Sequence, residues 1–368
     1  MNNLFLASFA SVMTTVGYVL VAILVLLVMI TVHELGHYIA GKIFKFKIEE
    51  FAIGFGPKIF KKQKKNGEIF SIRLIPLGGF CSFGGEDKES DGPNDFNNKK
   101  PWQRIIVLVA GAFMNYLLSV IIICATFGAY GRNAILVNDI VEDPTYSTVS
   151  LVDDDVILSI NGKKTYLLTD LMGTLEGKEK DELVTISVLR DKKVQSVQVA
   201  LREDAIFKNL EDVEGLSSVL GTAKIEGKQN YSFYTTGVKL GFFRTIGESF
   251  SYSGKLATTV FSIIGQIFSG KIGLSSMGGT VTTISVTVQG LQTGGLWFLL
   301  NITSLIGVNL ALFNLLPIPA LDGSRVVFTI IEWIRRKPLN RKVEGVIHTV
   351  GFVLLLLFAI LVDVQQCF

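Results

Sequence analysis

The sequence predicts a polytopic α-helical membrane protein with about four transmembrane helices and one inserted α+β domain. Of the 368 residues, 49% are apolar and only 18% are charged, whereas soluble domains carry about 25% charged residues. Four long stretches contain no charged residue, and each is near or above the roughly 20 residues that a membrane helix needs. Short patterns typical of strands separate the second stretch from the third. These three observations set the fold class.

Composition excludes several other classes of protein. A net charge of +3 with high hydrophobicity is the opposite of a disordered chain. The sequence pI of about 8.6 is only mildly basic and gives no sign of a nucleic-acid partner. Cys81, Cys124 and Cys367 lie far apart, so we expect reduced thiols rather than a disulfide framework.

The uncharged stretches predict spans near residues 13–38, 105–130, 296–317 and 346–363. Ile272–Gly295 is uncharged but rich in Gly, Ser and Thr, which favours a re-entrant or interfacial segment over a fifth span. We expect that the first span is not a cleaved signal peptide. A signal peptide begins with a basic segment, and no basic residue precedes Lys42.

The distribution of basic residues predicts the orientation. Thirteen Lys and Arg residues lie in 41–104 and six in 322–345, while residues 1–32 have none. Short loops rich in basic residues stay in the cytoplasm. We therefore expect both loops on the cytoplasmic side, and both termini with the 131–271 region outside.

The inserted region contains signals for a small α+β domain. Val156–Ile160 is a strand pattern closed by Asn161-Gly162, a turn signal. Thr169 is a candidate N-cap for a helix over Asp170–Leu175. Two alternating runs, Val184–Arg190 and Val194–Leu201, predict a hairpin.

This order of elements resembles a PDZ domain, and "LVDDDVILSING" (Leu151–Gly162) is similar to a segment of that family, with Asp154-Asp155 where Gly-Asp is usual. PDZ domains capture peptides by strand addition. A spacer or filter without a ligand is the alternative.

The segment after this domain carries aromatic residues at helical spacing. Ser232–Phe250 and Leu256–Phe268 each predict a mildly amphipathic helix. Such helices either lie in the outer membrane interface or pack against the bundle. The sequence leaves these two interpretations open.

The motif with chemical content lies at the end of the first span. His33 and His37 are four residues apart, so both rings lie on one helical face, and Glu34 follows the first. This is the HExxH signature, in which two imidazoles bind zinc and the glutamate is the general base. A buried His–Glu cluster or a haem site is the alternative.

A catalytic zinc usually has three protein ligands, and Asp322 is the candidate for the third. It follows the third span in "NLLPIPALDGSR", where two prolines break the helix. Both motifs leave the membrane on the same side, so they reach similar depth. Glu49 and Glu50 belong to the basic loop, and we expect His348 to be a packed or interfacial residue of the fourth span.

Together these motifs resemble the site-2 protease family of intramembrane metalloproteases, in its PDZ-containing subgroup with the regulator of sigma-E protease. The resemblance covers nearly the whole chain and includes Ile53–Pro57, Arg73–Phe80, Gly84–Asp87 and Pro101–Ser119. Two departures are the missing proline at Ala112 and the reduced "MGGTVT" before the third span. Both affect packing rather than metal binding.

The resemblance implies Zn²⁺ held by His33, His37 and Asp322, with Glu34 as the base. It further implies that Asn314, and with less weight Asn115, binds or positions substrate. It suggests a membrane-associated β-hairpin on the cytoplasmic side, in which Ile72, Gly78 and Gly79 contact an unwound substrate. The expected segments are 1–40, 41–104, 105–130, 131–204 (PDZ-like), 205–295, 296–325, 326–345 and 346–368.

The expected function is hydrolysis of peptide bonds in transmembrane segments, at the cytoplasmic side of a bacterial inner membrane. By resemblance, the substrates are anti-sigma factors or remnant signal peptides, with a peptide at the PDZ-like domain as a further partner. The alternatives are another membrane zinc peptidase, acting on soluble or prenylated peptides, and a non-catalytic scaffold that uses its PDZ-like domain.

Overall fold

The computed structural model divides the chain into two compact units, residues 1–123 with 253–368 and residues 124–252. It describes residues 2–86, 92–138, 151–207, 212–221, 233–269 and 279–367. The helices in chain order are α1 (Asn2–Ile43), α2 (Pro101–Tyr130), α3 (Leu168–Leu175), α4 (Val213–Leu220), α5 (Phe242–Phe268), α6 (Thr280–Asn314), α7 (Asp322–Arg335) and α8 (Arg341–Cys367). The strands are β1 (Ile48–Gln63), β2 (Ile69–Phe83), β3 (Arg132–Val137), β4 (Val156–Ile160), β5 (Lys163–Lys164), β6 (Leu183–Arg190), β7 (Lys193–Ala200) and β8 (Phe233–Val238).

Within the described part of the chain, four helices are long and apolar enough to cross a membrane. They cover Met13–Ile43, Pro101–Tyr130, Val281–Asn314 and Arg341–Gln365. Each overlaps one of the four predicted spans, so the prediction of about four spans in a polytopic protein is confirmed in number.

The third of these helices begins earlier than the sequence predicts. Residues 280–294, expected to be re-entrant or interfacial, continue α6 as a helix, with a kink at Gly295 (φ 55°, ψ −141°). A methyl group on Gly290 would lie 1.9 Å from the Phe298 ring, so the small residues make room for that ring at the kink. Threonine hydroxyls along this half donate to carbonyls one turn back, for example Thr287 to Thr283 O at 2.7 Å. The Gly and Thr residues of 280–294 are therefore compatible with a helix.

Strands β1 and β2 form a two-stranded antiparallel sheet after α1. Its register is irregular, because residues 48–53 of β1 pair both with 79–83 and with 69–72 of β2. Residues 60–63 of β1 pair with the other side of 69–72. The 69–72 segment, which contains Ile72, is therefore covered by partners on both sides.

The second unit is built on a six-stranded sheet of order β7-β6-β4-β3-β8, with β5 beside β4. Alternating residues of the strands form its core. Ile157, Val184, Ile186 and Val199 are fully buried with Leu171 and Leu175 of α3 and Leu216 of α4. The predicted strand 156–160 and the predicted 184–201 hairpin are present. The resemblance to a PDZ domain remains a prediction.

Two local predictions in this unit are wrong. Thr169 does not cap α3, which begins at Leu168; the Asp170 carboxylate instead accepts bonds from the N–H groups of Tyr166 (3.0 Å) and Leu167 (3.3 Å). Residues 233–238, predicted as the start of a helix, form β8 because they pair along the whole length of β3. The remainder of the predicted helical region forms the continuous α5.

The unusual Asp154-Asp155 pair has a structural explanation. Asp154 adopts φ 68°, a left-handed conformation that glycine takes easily and that aspartate tolerates better than most residues. Asp155 is fully buried and receives two bonds from the Arg190 guanidinium, at 2.6 and 2.7 Å. Residues 139–150, which precede this segment, lie outside the described residues.

Candidate metal centre

Three side chains of the kind that bind metals converge in the first unit. His33 Nε2 lies 3.0 Å from Asp322 Oδ2 and 3.1 Å from His37 Nε2. His37 Nε2 lies 3.3 Å from the same carboxylate oxygen. The three side chains are largely buried, with exposed fractions of 10%, 9% and 21%. These are the three residues that the sequence predicts as metal ligands. They lie close together although His33 and Asp322 are 289 positions apart in the sequence.

The distances among the three atoms fit a tetrahedral metal site. Zinc binds imidazole nitrogen and carboxylate oxygen at about 2.0–2.2 Å, so neighbouring ligands of a tetrahedron stand about 3.3 Å apart. The three observed separations lie close to this value. Three lone-pair donors at such distances repel one another unless a cation or shared proton lies between them. The donor set can therefore hold zinc and leave a fourth position for water.

Helix α2 fixes the orientation of His37. The Nδ1 of His37 lies 2.8 Å from the carbonyl oxygen of Val107. A carbonyl only accepts, so Nδ1 carries the proton and the bare Nε2 faces the site. Room for both rings comes from Gly111, where a methyl group would lie 2.4 Å from His37 Nε2 and 2.7 Å from His33 Cε1.

The bend between α6 and α7 places Asp322 beside the two histidines. Ala320 adopts φ 80°, a left-handed conformation that is strained for a residue with a side chain. Its N–H donates to His348 Nδ1 at 3.1 Å. A methyl group on Gly351 would lie 2.3 Å from Pro319 Cβ, so α8 packs directly on the bend. His348 is thus a packed residue, as expected, and its partner is the backbone beside the metal site.

Gly323, the residue after Asp322, allows two helices to approach closely. A methyl group on Gly323 would lie 2.3 Å from the carbonyl oxygens of both Leu315 and Leu316. The first turn of α7 therefore sits directly on the last carbonyls of α6. Gly323 is required for this close approach rather than for an unusual φ.

A cavity of about 290 Å³ contains the candidate catalytic residues. It is lined by Ile30, His33, Glu34, Asn115, Leu310, Asn314 and Ala320–Asp322. Strand β2 closes on Glu34, since a methyl group on Gly79 would lie 3.5 Å from Glu34 Cγ. The Cys81 backbone amide also donates a hydrogen bond to the Glu34 carboxylate.

The two asparagines in this cavity differ in their surroundings. Asn314 faces the Nδ1 of His33 at 3.4 Å. Asn115 is fully buried, and neither its amide nitrogen nor its amide oxygen has a hydrogen-bond partner in the described structure. An unpaired buried amide is costly, by about 1–3 kcal/mol, and points to a group that the cavity receives. From the sequence alone, Asn115 is a weaker candidate for substrate binding than Asn314. Its unpaired amide makes it a stronger candidate.

The other three candidate substrate residues, Gly78, Gly79 and Ile72, have different surroundings in the structure. Gly79 lies against Glu34, and neighbouring Gly78 (φ 120°) leaves space for the Phe55 ring, which a methyl group would meet at 1.9 Å. Ile72 pairs with both Ile53 and Phe60, so its backbone offers no free edge. Among the described residues, strand residues 79–83 pair with 48–53 alone. Two of their N–H groups have side-chain partners instead of a second strand, Glu34 for Cys81 and Glu86 (3.2 Å) for Phe83.

A second, more polar cavity of about 500 Å³ reaches Asp322 and Ala320 from another direction. Two residues that line it, Arg104 and Arg341, both bind the buried carboxylate of Glu332, at 2.6 and 2.7 Å. This network ties α7 to α2 and to the start of α8. Sequence analysis missed it, because no local pattern pairs residues 228 positions apart.

Two carboxylates of the hairpin are held in their ionised form. Burial raises the pKa of Glu68, but hydrogen bonds from Lys42, Lys64, Tyr38 and Asn66 outweigh it and lower the pKa to about 2. Burial acts against Glu50 in the same way, and bonds from Ser71, Lys58 and Arg73 lower its pKa to about 2. Glu50 is therefore committed to the hairpin rather than to a metal.

Comparisons with known proteins point to zinc proteases. The model of peptidase family M50 matches residues 21–358. The chain is 33% identical over 353 residues to a Fusobacterium nucleatum protein, covering 94% of this chain and 97% of that one. It is also 33% identical over 354 residues to a Clostridium perfringens protein, with 95% and 98% covered. Both carry the name "Putative zinc metalloprotease". A protein named "Zinc metalloprotease RasP" from Geobacillus kaustophilus is 26% identical over 425 residues, with 91% and 95% covered.

Proposed function

We propose that this chain, which belongs to peptidase family M50, the site-2 protease family, hydrolyses peptide bonds inside the membrane. The family match and the relatives identify it as a zinc metalloprotease and a multi-pass membrane protein. The finer proposal rests on one observation, the convergence of three possible metal ligands beside the membrane helices. His33 and His37 belong to a helix long and apolar enough to cross a membrane, and Asp322 begins the short helix that follows another such helix, α6.

The proposed zinc ligands are His33, His37 and Asp322, and Glu34 is the proposed general base. A bound zinc ion supplies a Lewis acid that lowers the pKa of its water toward 7. Glu34 lines the same cavity as two of these residues and has the chemistry to take the water's proton and return it to the leaving amine. His37 is kept in the metal-binding tautomer by the Val107 carbonyl.

Asn115 and Asn314 are the proposed contacts of the peptide. The unpaired amide of Asn115 can donate to a substrate carbonyl or to the oxyanion that forms from it. Asn314 lies beside His33, where its amide can both support the ring and meet the peptide. A helical substrate hides its carbonyls, so it has to unwind locally before either amide can reach one.

The edge of residues 79–83 that no second strand covers is the proposed contact for the unwound substrate, which would replace the bonds from Cys81 to Glu34 and from Phe83 to Glu86. An extended peptide can add to a free sheet edge through main-chain hydrogen bonds, and this edge lies beside Glu34. Ile72, which the resemblance suggests for this role, is paired on both sides with Ile53 and Phe60 and does not fit it. The proposed substrates are transmembrane segments of anti-sigma-factor-like proteins or signal-peptide remnants in a bacterial inner membrane, with hydrolysis toward the cytoplasmic side.

The test uses purified protein in lipid vesicles with a tagged single-span substrate. Glu34→Gln removes the base and should lower cleavage by about 10²- to 10⁴-fold with zinc still bound. Asp322→Asn should lose both zinc and cleavage. Glu49→Gln, at an exposed position of β1, is the matched control and should cleave normally.

Three outcomes would contradict the proposal. Full cleavage by Glu34→Gln would rule out Glu34 as the general base. Normal zinc content in Asp322→Asn would rule out Asp322 as the third zinc ligand. Cleavage of soluble peptides with no cleavage of the membrane substrate would favour a different kind of membrane peptidase.

A further inference from the structure

Helix α7 has an apolar stripe that faces away from the protein. Val327, Ile330, Ile331 and Ile334 are exposed by 39%, 39%, 36% and 77%. Their spacing of i, i+3, i+4 and i+7 places them on one side of the helix. Trp333, exposed by 52%, borders this stripe.

The opposite side of α7 is polar and faces the protein. Thr329 and Glu332 are buried, and Glu332 is bound by Arg104 and Arg341. Arg325 pairs with Glu86 and lines the polar cavity next to Asp322. A helix on the surface of a soluble protein has the reverse arrangement, with apolar residues inside and polar residues outside. The exposed apolar side chains of α7 are therefore expected to contact an apolar environment rather than water.

The neighbours of α7 confine it to the edge of the membrane. Seven residues (315–321) connect it to the end of α6, and five (336–340) connect it to the start of α8. Both neighbouring helices are candidate membrane spans. A helix tethered so closely at both ends stays near the boundary between lipid and water.

The charges after α7 complement an anionic lipid surface. Every charged residue from 333 to 343 is basic: Arg335, Arg336, Lys337, Arg341 and Lys342. Apart from Arg341, which binds Glu332 and Glu344, these side chains are exposed. Basic residues beside an apolar helical face favour binding to anionic head groups.

We propose that α7 lies in the plane of the membrane interface, with its apolar stripe on lipid acyl chains and the basic turn after it on anionic head groups. The occupant of this surface is the bilayer itself. Since Asp322 is the first residue of α7, contact with lipid fixes the depth of this carboxylate. The proposal concerns the seating of the helix, so it stands whether or not Asp322 binds zinc.

Trp333 gives a direct test, because the chain has only three tryptophans. Trp102→Phe with Trp297→Phe leaves Trp333 as the single reporter. The variant is reconstituted in phosphatidylcholine–phosphatidylglycerol vesicles whose acyl chains are brominated either near the head group or near the terminal methyl. We expect bromine near the head group to remove more Trp333 emission, and aqueous iodide to remove little.

The matched control moves the reporter to a position on the second unit. Val194, exposed by 62% on β7, is replaced by Trp in a chain whose three natural tryptophans are Phe. Iodide should quench this control and bromine should not. If the multiple variants fold poorly, the difference between the unmodified protein and Trp333→Phe isolates the same signal.

Two results would overturn the proposal. Quenching of Trp333 by iodide without quenching by bromine would place α7 in water. Protection from both quenchers would show that protein, such as a second copy of the chain, covers the stripe instead of lipid.

Discussion

Gly111 is the residue at which the absence of a side chain matters most to the metal centre. A methyl group there would lie within 2.7 Å of both histidine rings. We predict that Gly111→Ala lowers zinc affinity by about 10- to 100-fold, the range for changes around metal ligands. Zinc content after competition with a chelator measures this. Gly128→Ala, in the same helix but with open space around it, should bind zinc like the unmodified protein; equal affinity in both variants would contradict the steric argument.

His348 is predicted to act on the metal centre through Ala320 rather than as a ligand. His348→Leu removes the acceptor for the Ala320 N–H, so the strained bend relaxes and zinc affinity falls by about tenfold or more. His348→Asn retains an acceptor near the Nδ1 position and should recover most of the affinity. The absorption spectrum of the cobalt-substituted protein checks the ligand geometry separately from activity.

A second substitution separates this positioning role from simple packing. Ala320→Gly removes the strain of the left-handed conformation, so it should restore zinc affinity to His348→Leu. If the double variant binds zinc as weakly as His348→Leu alone, the hydrogen bond does not act through the backbone of Ala320.

Residue spacing explains which parts of the site could be predicted. The i, i+4 spacing of His33 and His37 places them on one helical face wherever that helix lies. The roles of Gly111 and His348 depend on which helices touch, and a single sequence does not contain that information. Asn115 was in the candidate set, but its isolation becomes visible only when the surrounding side chains are placed.

At the scale of elements, the β1–β2 hairpin is held to α1 by Glu68. This carboxylate is 2% exposed and accepts bonds from Tyr38 (2.9 Å), Lys64 (2.7 Å) and Lys42. We predict that Glu68→Gln loosens the hairpin by about 1–3 kcal/mol, measured as faster trypsin cleavage at the lysines of residues 61–65. Glu49→Gln, also on β1 but exposed, should leave the cleavage rate unchanged.

The same carboxylate gives the hairpin a defined pH dependence. The pKa of Glu68 is about 2 in the folded protein against 4.5 ordinarily, so its stabilisation is complete above pH of about 4.5. It is lost as the pH falls toward 2. Pepsin should therefore cut the hairpin increasingly fast over this window, and a flat rate in the unmodified protein would contradict the role of Glu68.

Elements with strong, long periodic patterns were predicted best. The four spans follow from apolar length, whereas the Gly- and Thr-rich half of α6 was misjudged because its threonines bond back to the helix. Strand β8 was misjudged because aromatic spacing over 233–238 suits a helix as well as a strand. Pairing with β3, a long-range contact, decides between them.

At the scale of the whole molecule, the charge distribution predicts opposite sides for the two units' loops. Loops rich in Lys and Arg stay cytoplasmic, so Lys337→Cys should react with an impermeant maleimide only in inside-out vesicles. Lys193→Cys, on β7 of the second unit, should react only in right-side-out vesicles. Cys81 and Cys124 are partly buried, and the unmodified chain supplies the background. Labelling of both positions from one side would contradict this orientation.

The separation of 289 positions between His33 and Asp322 has a consequence for biosynthesis. A ribosome that stalls before the last helices releases a fragment with the histidine pair but without the carboxylate. Such a fragment has two ligands where hydrolytic zinc usually has three. With the proposed ligand set, the order of the ligands along the chain would delay hydrolytic activity until residue 322 has been translated.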